Sequence, residues 1–141
     1  VSSPHSPAAL PAPTVAQAVA AVAAGGVIGA WLRYTVATAA PIAAGSFDWT
    51  TFAINVLGSF ALGALISYLT QRRFRHPLWR PFLGTGLLGG FTTFSTYAVE
   101  AQSLLRVGHA VTAVLYLAGT LACAVVAALL GIALMRRALR A

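Results

Sequence analysis

The residues with the most chemistry in this chain stand together in one stretch, GGFTTFSTYAVE, residues 89–100. Gly84, Gly86, Gly89 and Gly90 each weaken a helix by about 1 kcal/mol relative to alanine, and the hydroxyls of Thr92, Thr93, Ser95 and Thr96 then compete for its backbone groups. The stretch lies inside an apolar run, so the sequence predicts a helix that breaks within a membrane. Carbonyls and amides released there are tolerated only where protein buries them or where they bind ions or water. Packing glycines account for the first half of the segment and leave the threonine run unexplained. Phe94 and Tyr97, spaced i, i+3, project from one face just beyond the break. Aromatics at that spacing usually serve a core. Beside a polar break, their positive ring edges can also face an anion without the full charge that would hold it too tightly.

A second polar position, Asn55, lies in another apolar run, with Ser59 one turn later on the same face and Gly58 and Gly63 offering close helix approach. Its amide suits an interhelical hydrogen bond as well as it suits a site. The remaining chemistry is sparse. Cys123 is the single cysteine, which excludes an internal disulfide and reads as a small buried apolar residue. His5, His76 and His109 fall in the tail or beside segment ends, where solvated or structural roles suit them. With no activated nucleophile, metal cluster, phosphate-cradling loop or acid–base pair, the chain does not read as an enzyme.

Membrane-spanning helices must position these groups. Of 141 residues 59% are hydrophobic, and nine basic and two acidic residues are the only formal charges besides histidine; this balance makes the chain an integral membrane protein of one domain. Four apolar runs reach the roughly 20 residues that a span requires: 15–39, 50–70, 81–104 and 110–135. The expected fold is an all-α membrane protein, a four-helix transmembrane domain over residues 15–141 with its third helix broken. Residues 1–14, rich in proline, serine and alanine, are expected to form a flexible tail. A secretory signal peptide is the competing reading of this end, but no lysine or arginine precedes the first apolar run.

All nine basic residues are arginines, and topology distributes them; nothing lays them along a nucleic-acid-binding face. Arg72, Arg73, Arg75 and Arg80 crowd the second link, and Arg136, Arg137 and Arg140 follow the fourth span. Both clusters are expected in the cytoplasm, with both chain ends, leaving Arg106 on the outer side. Trp49 and Trp79 stand at the starts of the second and third spans, where an amphipathic ring prefers the headgroup layer.

GGFTTFSTYAVE resembles the third-helix signature, GGxTTFSTF, of the Fluc (CrcB) family of fluoride channels. GGVIGAWLRY (25–34) is similar to that family's GGxxGAxxRY, TFAINVLGSFALG (51–63) to its TxxxNxxGSFxxG, and Glu100 stands where the family has an acidic residue. The resemblance covers about residues 20–135 and implies a passive channel for fluoride over chloride, built from two antiparallel subunits with two pores, in the plasma membrane of a microbe. It implies a structural sodium ion held by the backbone carbonyls of Gly89 and Thr92. Pore roles would fall on Phe94, on Tyr97 in place of the usual phenylalanine, and on Ser95, Asn55 and Thr120. The Tyr97 hydroxyl would either donate to fluoride or crowd the pore. Ala124 lacks the hydroxyl that would extend the fourth-helix track. Arg33 would make the vestibule electropositive; a snorkelling interface arginine is the equally simple reading.

A homodimer inserted both ways needs balanced flanking arginines, and here seven stand on one side against one on the other. A heterodimer with an oppositely oriented homologue is therefore favoured over a dual-topology homodimer. Two rivals belong to other classes. A small proton-coupled multidrug exporter needs a carboxylate within a span, and Glu100 is the only one to offer itself, Asp48 lying near a span end. A non-conducting structural subunit of a membrane complex would use the break for packing alone.

Overall fold

The computed structural model describes residues 12–43, 45–71 and 76–140; His5, Arg72, Arg73 and Arg75 lie outside them. Every regular element among the described residues is helical: α1 (Val15–Ala39), α2 (Trp49–Gln71), α3 (Arg80–Leu88 running directly into Gly89–Phe91), α4 (Ser95–Arg106) and α5 (Ala110–Ala138). Helices α1, α2 and α5 are long and apolar enough to cross a membrane. Their bounds match the expected first, second and fourth spans to within a few residues. The third region is two shorter helices separated by Thr92, Thr93 and Phe94.

Local chemistry fixes the ends of these elements. Thr14, the last residue of the expected tail, caps α1: its hydroxyl accepts the Gln17 N–H at 3.2 Å, and the Gln17 side chain accepts the Thr14 N–H at 2.9 Å. Asp48 does the same for α2, taking the Thr51 N–H at 2.8 Å. Helix α4 closes on Gly108, whose φ of +81° suits glycine. The His109 N–H reaches the Leu104 carbonyl at 2.9 Å and the Gly108 N–H that of Leu105 at 3.1 Å. This short turn makes α4 and α5 antiparallel neighbours, joined by a cluster of Ala101, Leu104, Ala113 and Tyr116 that Phe47, Phe52 and Tyr97 surround.

Lipid tails are as apolar as leucine, so helices in a bilayer associate through close packing. Two glycine seams provide it. A Cβ on Gly25 or Gly29 of α1 would strike the carbonyls of Phe82 and Leu87, and one on Gly86 or Gly90 of α3 would lie 2.7 Å from the Val22 oxygen or 2.6 Å from the Gly26 oxygen. In the second seam, Gly63 of α2 abuts the Ala128 carbonyl and Gly131 of α5 the Phe60 carbonyl. Gly63→Val is therefore expected to destabilise the fold by about 2 kcal/mol or more, read as a lowered thermal midpoint in detergent. Gly26→Ala, where nothing stands within 4 Å, is the control and should leave the midpoint unchanged or raised.

Helix α3 is wound wider than an α-helix over Arg80–Leu88, with i→i+5 bonds such as that from the Gly89 N–H to the Gly84 carbonyl. Pro81 sits in its first turn, where a missing N–H costs nothing. The wide winding and the glycine seam together carry Gly89–Phe91 against α1 and present the break to α2 and α5.

Candidate functional site

The break is held open by side chains. At Thr92 the backbone turns extended (φ −74°, ψ 163°), and the next amide leaves the helix ladder. The Thr93 N–H donates to Asn55 Oδ1 at 2.9 Å, while Asn55 Nδ2 donates to the Thr93 carbonyl at 3.0 Å. This pair of bonds fixes which way the amide faces, since an N–H and a carbonyl accept no exchange of partners. Asn55 is 9% exposed and so clamps the backbone of the break from the second turn of α2.

The threonine run covers the open N-terminal end of α4. Thr93 Oγ1 accepts the Thr96 N–H at 3.1 Å and donates to Thr96 Oγ1 at 3.1 Å, with Ser95 Oγ 3.3 Å away. Thr92 Oγ1 turns back to the Leu88 carbonyl at 3.1 Å. On the other side, Arg33 Nε donates to the Gly90 carbonyl at 3.3 Å, placing a guanidinium against the negative end of α3. Among the described residues no N–H reaches the carbonyls of Gly89 and Thr92, which the break has released from their usual i+4 partners.

A cavity of about 300 Å³ opens beside the break, bounded by Asn55 and Ser59 of α2, Thr92 and Phe94 of the break, Tyr97 of α4 and Thr120 of α5. It gathers five of the eight residues that the sequence singled out: Asn55, Thr92, Phe94, Tyr97 and Thr120. Gly89, Ser95 and Arg33 lie outside its lining. Thr120 is 3% exposed and its hydroxyl has no hydrogen-bond partner, an orphaned buried donor facing a cavity. Phe94 is 78% exposed, its ring centroid 5.7 Å from that of Tyr97.

The Tyr97 hydroxyl points away from this space. It donates to the Leu117 carbonyl of α5 at 2.6 Å, while Tyr97 still lines the cavity. Tyr97→Phe should therefore cost about 1 kcal/mol of stability, one hydrogen bond, and leave ion flux within about two-fold of the parent, since the barrier-forming donors are untouched. Thermal unfolding and flux measured on the same preparation check both halves.

Sequence reasoning missed Tyr116. It is fully buried and, with Thr120, supplies the only buried side-chain polar atoms without a partner among the described residues. The signal was available: Thr112, Tyr116 and Thr120 recur at i, i+4 on one face of an otherwise apolar helix. Glu100 lies apart, sharing with Asp48 a second cavity of about 450 Å³ near the N-terminal end of α2.

Comparison with known proteins gives the family of the chain. Residues 20–132 match the family described as CrcB-like protein, Camphor Resistance (CrcB). The chain is 52% identical over 106 residues to the fluoride-specific ion channel FluC 2 of Streptomyces avermitilis, covering 75% of this chain and 67% of that protein. It is 46% identical over 127 residues to FluC 1 of Streptomyces coelicolor, covering 90% and 82%. To FluC 3 of Streptomyces avermitilis it is 41% identical over 127 residues, covering 86% and 59%. The matched region spans all five helices but for the outer turns of α1 and α5, so the clamp on the break, the glycine seams and the cavity all belong to a chain of the CrcB family.

Proposed function

We propose that this chain is a subunit of a passive, fluoride-selective channel that exports cytoplasmic fluoride and catalyses no reaction. The observation that carries the reading is the break at Thr92 to Phe94, clamped by Asn55 beside a cavity that offers the Thr120 hydroxyl. Fluoride is small and strongly hydrated, and a pore passes it by replacing its water with donors in a narrow space. Asn55 keeps one Nδ2 hydrogen that Thr93 does not take, Thr120 adds a hydroxyl, and the Phe94 ring edge supplies partial positive charge. The exposed Ser95 hydroxyl and the Arg33 guanidinium extend this polarity toward the vestibule. Four crossings result when α3 and α4 together form the third, with the break near mid-depth.

The reading includes an antiparallel dimer with two pores. Phe94, exposed in the single subunit, is then covered by the second copy and faces a pore shared between them. The carbonyls of Gly89 and Thr92 fit a structural sodium ion, being hard oxygen donors that the break has freed. Such an ion, held with the same carbonyls of a second subunit, supplies fixed positive charge beside the path of the anion.

The arginine bias supports a heterodimer in the plasma membrane, with this chain fixed so that both its ends are cytoplasmic. Numbered relatives, two of them from Streptomyces avermitilis, fit a second chain of opposite orientation. A C-terminal tag on this chain expressed alone should be reached from the cytoplasmic face only; comparable labelling on both faces would sink the heterodimer.

The channel itself is tested by fluoride efflux from liposomes, with chloride as the control. The expected result is rapid efflux of fluoride alone, from this chain or from this chain paired with an oppositely biased homologue. Well-folded protein that stays silent in both forms, or that passes chloride equally, would overturn the proposal.

A further inference from the structure

The two acidic side chains of this chain stand far from the arginines at the C-terminal end of α5. Asp48 and Glu100 line one cavity near the N-terminal end of α2. Arg136 lies at the other end, lining a small cavity with Thr70 and Gln71 at the C-terminal end of the same helix. The 23 residues of α2 separate the two by roughly 34 Å, several times the Debye length of about 8 Å at physiological salt. No side-chain carboxylate therefore neutralises three exposed arginines, Arg136 and Arg137 in the last turn of α5 and Arg140 just beyond it. The carbonyl end of the helix meets only part of their charge.

These arginines stand above an open depression of about 400 Å³ along the face of α5, floored by Leu129, Ile132 and Ala133. Leu129, 60% exposed, and Leu130, 52% exposed, continue the apolar surface down the helix. A guanidinium cluster above an apolar depression matches a phosphate joined to an acyl chain, since guanidinium binds phosphate through paired hydrogen bonds.

We infer that Arg136, Arg137 and Arg140, with the depression floored by Leu129, Ile132 and Ala133, bind an anionic phospholipid of the surrounding leaflet. The phosphate sits among the guanidinium groups and one acyl chain lies along α5. The inference rests on the chain's seat in a bilayer and is independent of the ion that it conducts.

The test uses the full chain, delipidated in neutral detergent, so that insertion bias plays no part. Binding of phosphatidylglycerol and phosphatidylcholine is counted by native mass spectrometry. Phosphatidylglycerol should bind preferentially, and changing all three arginines to glutamine should weaken it on the order of 100-fold, as expected for three basic groups near a charged surface. The corresponding lysine variant should keep most of the preference, and raising the salt to about 0.5 M should reduce it in the parent. Glycerophosphoglycerol, the headgroup without its chains, should not compete at equal concentration. Equal binding of the two lipids, a preference untouched by salt or by the glutamine changes, or full competition by the headgroup alone would each overturn the inference. Each reads lipid binding and leaves the flux assay to judge the channel.

Discussion

Phe94→Ile is expected to cut fluoride efflux by about 100-fold or more, equivalent to about 2.7 kcal/mol of added barrier, while leaving the subunit folded. The separation of the two effects follows from its position. Phe94 is 78% exposed and packs no core, so an apolar replacement should change subunit stability by no more than about 0.5 kcal/mol. Isoleucine keeps the apolar bulk but has no quadrupole, and the positive ring edge is what the proposed pore offers the anion. Initial efflux rates from liposomes, set beside thermal midpoints, read both quantities. Unchanged flux from a folded variant would leave the break with a packing role only, the reading in which the chain is a structural subunit.

Asn55→Asp should also abolish flux, but through the backbone. The aspartate can still accept the Thr93 N–H, yet it has no N–H for the Thr93 carbonyl, which accepts a 3.0 Å bond from Asn55 in the parent. A buried carbonyl left unpaired costs about 1–3 kcal/mol, and a carboxylate beside the cavity repels an anion. Together they predict a loss of about 100-fold or more in efflux, accompanied by a lower thermal midpoint. Ser59→Ala, one turn away on the same cavity wall, removes a hydroxyl without touching the clamp. It should keep the midpoint and a measurable flux. If Asn55→Asp conducted as the parent does, the clamp would have no part in the function.

Glu100, on which a proton-coupled exporter would depend, shares its cavity with Asp48 and lies outside the space that joins Asn55 to Thr120. With the chain in the CrcB family, that exporter reading has no remaining support.

Much of the architecture was legible in the sequence because membrane burial imposes a strong, local rule. An apolar run of sufficient length must form a helix, since lipid satisfies no backbone group, and the ends of α1, α2 and α5 fall close to where their runs end. Glycines and hydroxyls at 84–96 weaken a helix wherever it packs, and the helical interruption at 92–94 falls among them. The nine-residue wide winding of α3 was not legible, because i→i+5 and i→i+4 bonding differ by a small local energy that contacts with α1 decide.

Partner choice was beyond the sequence altogether. Asn55 could be recognised as costly in lipid, yet only the packing of α2 on the break sets its amide against Thr93. Arg33 suited an interface or a vestibule equally well, and its bond to the Gly90 carbonyl depends on where α3 packs. Tyr97 and Tyr116 show the limit most plainly: two tyrosines in apolar surroundings, one with its hydroxyl bonded to Leu117 and the other with none. Composition and periodicity determine which groups must find a partner, because their desolvation is a property of the residue. Which partner each finds depends on how separate helices meet, and only the tertiary structure carries that.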